Sequence, residues 1–376
     1  MEKWTPIYNE DKITTPGLLI NPDFVNDNIK SMIKICGDPE RLWPHIKTYK
    51  MKKIIDLQIN NGISRFKCAT VSEAKLLCNT KADHILLAIQ PTRKKLDFLL
   101  NLQKEFPEKK FSTLVDNKIT LELFIKASIS KNQKISVWID LNTGMNRTGV
   151  MPNEHAFNLF KQIFYSTHLN FLGLHVYDGH VRDPNEKKRE KMSYESDKKL
   201  NGLIEKINSV NSNYNVIVGG SPTFQSHSKN PNIFLSPGTT LLWDARYSEL
   251  CPKSPFKIAA LLATRVISKP GPNLLCLDIG HKAIACEMKL PRMVLLGLKN
   301  SEQISQSEEH LVVESIDSEK YEVGDVIYGA PFHICPTVAK YNYAQIVKNQ
   351  RLVDYWKIEG KDYMYSFEDF DRKLLY

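Results

Sequence analysis

Short apolar, β-branched runs alternate with longer stretches of helical periodicity from about residue 17 onward, over some 230 residues, and this alternation limits the folds open to the chain. The runs are GLLINP, RLWPHIKT, FKCAT, HILLAIQP, FSTLVDN, ISVWIDLN, FLGLHVYDGH, NVIVGG and NIFLSPG. Regular alternation of strand and helix is typical of a parallel sheet. Eight or so units favour a closed (β/α)8 barrel of the TIM type, although an open doubly wound sheet alternates in the same way.

A second pattern begins after about residue 250. Its apolar runs follow one another closely and are separated by turn residues: KIAALLATRVISKP, NLLCLDIG, RMVLLGL, EEHLVVESI, DVIYGAP and YAQIVKNQRLVDYWKI. This spacing predicts a mostly antiparallel β domain. We therefore expect a barrel over residues 17–247 and a β domain over residues 248–376, which residues 1–16 join.

Composition argues against several classes of protein. The net charge of the 376 residues is +9, but the lysines are scattered and interleaved with acids, which disfavours a nucleic-acid footprint. The N-terminus has no apolar signal core, and no run of about 18 apolar residues predicts a membrane span. Seven cysteines at irregular spacing, without a C-x-x-C pair, favour the reduced cytoplasm over a disulfide scaffold.

Lys47 follows the apolar segment LWPHI, where the first barrel strand should end. Active sites of parallel barrels gather at the carboxyl ends of the strands. A lysine that is desolvated there beside another cation becomes an amine nucleophile able to form a Schiff base, whereas the ordinary alternative is a surface lysine. Pyridoxal phosphate is one carbonyl partner for such an amine.

The segment IVGGSPT is a candidate phosphate-binding turn. Gly219 and Gly220 let the backbone approach a phosphate, and Ser221 and Thr223 offer hydroxyl groups. The alternative is a tight strand-to-helix turn without a ligand. PGTT, residues 237–240, is a second and weaker candidate.

Two other strand ends carry polar side chains. In DLNTGMNRTGV, Arg147 could hold the phenolic oxygen of a bound cofactor ring, or it could pair with Asp140 or a helix end. VYDGH places Tyr177 and His180 at the end of the next strand, where a histidine can act as a general base near neutral pH.

The segment APFHICPTV in the β domain carries a candidate metal pair. His333 and Cys335 are two residues apart, so in an extended segment they face the same side. Imidazole nitrogen and thiolate sulfur together suit zinc or a similar divalent ion. The alternative is a buried cysteine beside an unrelated histidine.

Seven segments occur in the order found in the D-threonine aldolase / D-serine dehydratase family, and the chain resembles that family from about Thr15 to Trp356. They are PHIKTYK, CATVSEA, DLNTGMNRTGV, VYDGH, GGSPT, SQSEEH and HICPTV. The resemblance implies an alanine racemase-like (fold type III) pyridoxal phosphate barrel followed by a β domain, assembled as a homodimer. It also implies a divalent metal, which could be zinc, manganese or magnesium.

The resemblance implies roles for the candidate residues. Lys47 would be the Schiff-base lysine and His180 the base toward the substrate's β-hydroxyl group. Arg147 would lie near the phenolic oxygen and Tyr177 would seat the cofactor, while residues 219–223 would hold its phosphate and His333 and Cys335 the metal. Tyr49 departs from the family, which commonly has histidine there. Glu308 to His310 resemble a family motif to which the sequence assigns no role.

The resemblance implies a lyase acting on small D-β-hydroxy amino acids. A D-threonine aldolase, with His180 as base, is the reading we favour from the sequence. The alternative is a D-serine or D-threonine dehydratase, in which Lys47 removes the α-proton to give a keto acid and ammonia. A racemase would have no use for His333 and Cys335, and a cofactor-carrying binding protein would have no use for the β domain.

Overall fold

The computed structural model describes residues 4, 6–298 and 300–363. Its framework is a seven-stranded parallel sheet and a nine-stranded, mostly antiparallel sheet. The first sheet takes its strands in chain order, with helices between them, as the alternation of sequence patterns predicts. The elements up to the end of the barrel are β1 (Gly17–Ile20), α1 (Pro22–Cys36), α2 (Lys52–Asn60), β2 (Arg65–Cys68), α3 (Val71–Cys78), β3 (His84–Leu87), α4 (Arg93–Glu105), β4 (Lys110–Val115), α5 (Lys118–Lys131), β5 (Ile135–Leu141), α6 (Glu154–Phe164), β6 (Leu169–Val176), α7 (Glu186–Lys198), α8 (Asn201–Asn208), β7 (Asn215–Val218), α9 (Phe224–Ser228), β8 (Phe234–Leu235) and α10 (Ala245–Leu250).

Residues 42–45 close the parallel sheet into a barrel. Trp43 N donates to Leu235 O in β8 at 2.8 Å, and Lys67 N in β2 donates to Pro44 O at 2.9 Å. The segment forms isolated parallel bridges to β8 and β2 rather than a full ladder. Pro44 has no N–H to donate, which accounts for the interruption. The predicted (β/α)8 barrel is therefore confirmed, with the bridging segment 42–45 in the place of its first strand.

A small apolar cluster fills the barrel interior. It consists of Trp43, Leu86, Leu114, Trp138 and Ile217, all buried. The two indole rings meet edge to face, with centroids 5.7 Å apart, a favourable arrangement of their quadrupoles. This packed interior leaves the ends of the strands as the place for a ligand.

The second sheet has the order β12-β13-β10-β9-β1-β15-β16, with β14 also pairing with β9 and β11. All these pairs are antiparallel except β1 with β15. The mostly antiparallel β domain is thus confirmed. Its elements are β9 (Ala260–Ser268), β10 (Leu274–Leu277), β11 (Met293–Leu296), β12 (Ser301–Gln306), β13 (Leu311–Ser315), β14 (Val326–Pro331), α11 (Ile334–Val338), β15 (Tyr343–Lys348) and β16 (Arg351–Lys357).

The expectation that the barrel starts at residue 17 is wrong for β1, because this strand lies in the second sheet. Leu19 pairs with Leu261 in β9 on one side and with Gln345 in β15 on the other. All four residues of β1 are buried, and such an uninterrupted apolar run does not indicate which sheet a strand joins. The N-terminal segment packs beside it, since Tyr8 N donates to Gln350 O. The boundary near residue 247 stays a prediction.

The start of α3 anchors the segment that carries the candidate lysine. Thr70 Oγ1 accepts from Glu73 N at 3.1 Å, and the Glu73 carboxylate accepts from Ala69 N at 2.6 Å, close to the pattern of a capping box. The same carboxylate, fully buried, forms an ion pair with Lys50. This contact ties the chain just after Lys47 to the barrel wall.

Candidate active site

A cavity of about 510 Å³ opens at the carboxyl ends of the barrel strands, where α11 of the second domain approaches. Seven of the ten residues predicted for the site line it: Lys47, Arg147, Tyr177, Gly220, Ser221, His333 and Cys335. Gly219, Thr223 and His180 do not. The structure therefore brings the predicted amine, ring contacts, turn and metal pair to one place.

Lys47 and Arg147 lie beside the same aromatic ring. Lys47 Nζ is 5.8 Å and Arg147 Cζ 4.9 Å from the centroid of Tyr177, within cation–π distance. The alternative in which Arg147 pairs with Asp140 does not occur, because the Asp140 carboxylate binds His175 and Gln90 instead. The Arg147 guanidinium is thus placed in the cavity.

The two glycine-containing turns meet at Ser221. Its Oγ accepts from Gly238 N at 3.2 Å and from Thr239 N at 2.9 Å. A Cβ on Gly220 would lie 2.9 Å from the Tyr177 ring, so only glycine permits this close approach. Both candidate phosphate segments therefore form one wall of the cavity.

Thr223 lies behind that wall rather than on it. Its hydroxyl donates to Asp178 Oδ1 at 2.9 Å. Asp178 Oδ2 in turn lies 2.7 Å from His227 Nε2, and Asp197 approaches His227 Nδ1 at 3.3 Å. Burial alone would lower the pKa of His227, but the hydrogen bonds and charges of the two carboxylates raise it to about 10. A buried imidazolium therefore supports the turn.

We expect the His227 pair to make stability depend on alkaline pH. Since the pKa of His227 is raised to about 10 from 6.5, its stabilisation is complete below about pH 6.5 and is lost as the pH rises through 10. His227→Gln should lower the free energy of unfolding by about 3 kcal/mol at pH 6, because the buried Asp178 carboxylate and the partly exposed Asp197 carboxylate lose their cation.

Urea unfolding of the wild type and of His227→Gln between pH 6 and pH 11 measures the difference in their free energies of unfolding. This difference should shrink as the pH approaches 10 and beyond. His155→Gln, which changes an exposed histidine, is the control and should give no such trend. A constant difference for His227→Gln across the range would contradict the buried imidazolium.

A buried polar chain that the sequence analysis missed reaches the cavity. Lys67 Nζ lies 2.7 Å from His175 Nε2, and His175 Nδ1 lies 2.7 Å from Asp140 Oδ1. Burial and the nearby charge of Lys47 lower the pKa of Lys67 to about 7. Each of these residues is a polar side chain inside an apolar strand run, FKCAT, ISVWIDLN or FLGLHVYDGH. That interruption was the available signal.

His333 and Cys335 both line the cavity, but not from an extended segment. His333 immediately precedes α11 and Cys335 lies in its first turn, where Pro336 is tolerated because its missing N–H would have no helical partner. The prediction of an extended backbone is therefore wrong. Both side chains nevertheless reach the same place.

The surroundings of the pair suit metal ligands. His333 Nδ1 contacts the Glu287 carboxylate, and a carboxylate on the second ring nitrogen is the usual way to orient a ligating imidazole. Burial opposes ionisation of Cys335, but His333 and the hydroxyl of Thr48, 3.2 Å away, leave its pKa lowered. Within residues 4, 6–298 and 300–363, no three His, Cys, Asp or Glu side chains are grouped to hold a metal ion.

His180 is not brought into the cavity. Its ring packs against Gly144, where a Cβ would lie 2.7 Å from Nε2. Its Nδ1 is buried without a hydrogen-bond partner in the described part of the chain, and burial lowers its pKa. His180 thus contacts the 144–149 loop, which carries Arg147 into the cavity, but it does not itself line the cavity.

Two other features singled out from the sequence lie outside the cavity. Tyr49 is buried, and its hydroxyl accepts from Gln58 Nε2 at 2.6 Å. Glu308 and Glu309 lie between β12 and β13, and both form ion pairs with Lys282. The departure at Tyr49 therefore changes packing behind the lysine rather than the cavity wall.

The charge and shape of the cavity fit pyridoxal phosphate. Lys47, Lys67, Arg147 and Arg182 line it, and no aspartate or glutamate of the described ranges does, so it suits an anionic ligand. A Cβ at Gly220 would occupy the space beside the Tyr177 ring, so this glycine keeps that wall of the cavity open. The nitrogen and sulfur donors of His333 and Cys335 fit a divalent ion such as zinc, with two positions supplied by the chain.

Residues 20–241, more than half of the chain, match the family model of the alanine racemase N-terminal domain. The chain belongs to this family. Residues 259–347 match a second family model, the putative serine dehydratase domain. The family resemblance seen in the seven sequence segments is confirmed, and membership implies pyridoxal phosphate as cofactor.

Several known proteins are similar to the chain over nearly its full length. A D-threonine aldolase of an Arthrobacter species is 23% identical over 362 residues, covering 94% of each chain. A D-serine dehydratase of Dictyostelium discoideum is 24% identical over 392 residues, covering 92% of this chain and 96% of its own. The crystal structure of a Filomicrobium marinum D-threonine aldolase has a TM-score of 0.84 at 23% identity, covering 93% and 95%. This last likeness shows the fold.

Both of these relatives are, by name, lyases of D-amino acids. Among the described residues, no helix is long and apolar enough to cross a membrane.

Proposed function

We propose that this chain is a pyridoxal phosphate- and divalent metal-dependent lyase that removes water from D-β-hydroxy amino acids to leave an enamine, whose imine tautomer is hydrolysed by water to a keto acid and ammonia. The observation that carries the proposal is that Lys47 and the pair His333 and Cys335 line one cavity, whereas His180 does not. An elimination needs a base at the α-carbon and assistance at the β-hydroxyl group. Lys47 would serve as that base, and a metal ion on His333 and Cys335 would assist at the β-hydroxyl group.

Pyridoxal phosphate, when bound, supplies an electron sink for the bond broken at the α-carbon. Gly220 and Ser221 would hold its phosphate, Arg147 its phenolic oxygen, and the Tyr177 ring would seat its face. Lys47 would hold it through Nζ, and the amine, once freed, would accept the substrate's α-proton at the same atom. A divalent ion held by His333 and Cys335 would supply Lewis acidity toward a hydroxyl group.

The second candidate is the D-threonine aldolase, the activity we favour from the sequence alone. It needs a base for the β-hydroxyl proton, and the buried, unpartnered Nδ1 of His180 is the observation in its favour. A rotation of this ring away from Gly144 would be required to bring it to the cavity. The dehydratase requires no such movement, and for this reason we place it first.

A product assay distinguishes the two reactions. Purified protein with added pyridoxal phosphate and zinc, manganese or magnesium is offered D-threonine and D-serine separately, with the L-isomers as stereochemical controls. We expect keto acid and ammonia from both D-isomers and no product from the L-isomers. Glycine with acetaldehyde from D-threonine would instead establish the aldolase and give His180 the role of base.

We also propose that the protein acts as a cytoplasmic homodimer. All seven cysteines are unpaired thiols, which suits a reducing compartment.

The β15–β16 edge exposes Tyr343, Val353 and Tyr355, each more than half accessible. Exposed apolar side chains on a sheet edge are typical of a surface that another chain covers.

A further inference from the structure

The chain of Asp140, His175 and Lys67 has a fixed polarity. Burial opposes ionisation of Asp140, but the hydrogen bonds from His175 and Gln90 leave its pKa lowered, so the carboxylate is charged and can only accept. His175 must then donate from Nδ1, and its Nε2 is left to accept from Lys67 Nζ. Burial and the charge of Lys67 lower the pKa of His175, in keeping with a neutral ring.

This polarity points the cationic end of the chain at the cavity. His175 uses one N–H of the Lys67 ammonium, and Lys67 lines the cavity, so the other N–H groups are available to a ligand there. The titratable or charged groups around it are His45, Lys47, Asp140, Arg147 and His175. Four of these are basic, and with no carboxylate in the described lining, a charged Lys67 needs an anion from the ligand.

The position of Lys67 identifies which anion this is. Lys67 lies beside the Lys47 segment, because His45 forms a parallel bridge with Lys67, and Lys47, Lys67 and Arg147 line the same cavity. In pyridoxal phosphate the phenolic oxygen is on the ring carbon next to the one that bears the aldehyde carbon, and that aldehyde carbon is what Lys47 Nζ attacks. The phosphate arm is on the other ring carbon next to that one. Since Arg147 would hold the phenolic oxygen, an amine beside both Lys47 and Arg147 would be on the phenolic side of the ring, away from the phosphate.

We propose that Lys67, oriented by His175 and Asp140, is a positioning residue that donates to the phenolic oxygen of the bound cofactor alongside Arg147. This inference rests on the proposed cofactor use. Lys67 would then be a second cation at that oxygen, in addition to Arg147. A second cation there would lower the affinity of the lysine-bound cofactor for the proton between the phenolic oxygen and Lys47 Nζ. The pH at which that proton leaves is a property of the resting protein, before any substrate binds.

The test is a pH titration of the visible absorption band of the holoenzyme without substrate. Lys67→Met and Lys67→Gln remove the cation, and each should raise the midpoint of the titration by about one pH unit or more, the usual effect of a neighbouring charge. Lys67→Arg keeps the cation and should leave the midpoint within a few tenths of a unit of the wild-type value. Two neutral variants are used so that a folding defect in one, detected by circular dichroism, leaves the other.

Lys109→Met is the matched control. Lys109 is also a largely buried barrel lysine, but its Nζ donates to Thr80 O and Ala82 O, and it is not part of the cavity wall. Its loss should leave the midpoint unchanged. An unchanged midpoint in the neutral Lys67 variants, with a raised KM for D-amino acids, would overturn the inference and give Lys67 to the substrate's carboxylate. Absence of a visible band in the wild-type protein would instead count against the proposed function.

Discussion

Lys47→Ala should abolish turnover and remove the visible absorption band that the protein acquires with pyridoxal phosphate. Lys47 lines the cavity beside Tyr177 and Arg147. In the proposed mechanism it is both the covalent anchor of the cofactor and the base. Losing both roles should lower kcat/KM on the order of 10⁴-fold or more. Absorbance spectra and the product assay measure the two effects independently.

A matched control for this variant is Lys52→Ala. Lys52 is five residues further along the same basic segment, but it is partly exposed and pairs with Asp56 one helical turn away. Its replacement should leave both the band and the turnover within about twofold, as expected for a surface ion pair of small energy. A full visible band in Lys47→Ala would show that the anchor lies elsewhere, and Lys67 would be the first residue to replace next.

His333→Ala and Cys335→Ser should each lower the bound divalent metal well below one equivalent and lower turnover about 10²-fold or more. His333 and Cys335 are the two ligands proposed for the metal, and both line the cavity, so loss of either leaves a single proposed ligand. Metal content after dialysis, measured by inductively coupled plasma mass spectrometry, is the primary readout. The visible band should survive, because the cofactor contacts remain.

Two residues outside the cavity provide the comparison for the metal variants. Cys286 is an exposed thiol and His310 an exposed imidazole of the SEEH segment. Cys286→Ser and His310→Ala should retain wild-type metal content and turnover. Metal content and activity that are the same in His333→Ala as in the wild type would remove the metal from the proposed mechanism.

Much of the fold could be predicted because apolar runs and helical periodicity record burial directly. All nine runs of the first pattern form strands or, for RLWPHIKT, the bridging segment of the barrel. The pattern says nothing of which strand pairs with which, and for this reason β1 was assigned to the barrel. β12, with the sequence SEQISQ, was missed because most of its side chains are polar and accessible.

The candidate site could be predicted where a reactive side chain directly follows a strand, as at Lys47, Arg147 and Tyr177. It could not be predicted where the partner is distant in sequence. Lys67 and His175 are 108 residues apart, and His227 reaches Asp178 across 49. His180 was predicted for the site because it follows a strand, but its ring packs against Gly144 and does not line the cavity. Position along the chain does not fix the direction of a side chain.

The place of β1 between β9 and β15 has a consequence for how the protein forms during synthesis. The barrel strands pair with their neighbours in sequence, but β1 pairs with a strand some 240 residues later and another more than 320 residues later. Such non-local contacts raise contact order and slow folding. β1 must therefore wait, with unpaired edges, for partner strands that are synthesised much later. Because His333 and Cys335 lie between β14 and β15, the cavity is completed only when that wait ends, and an incomplete chain carries the lysine without the metal ligands.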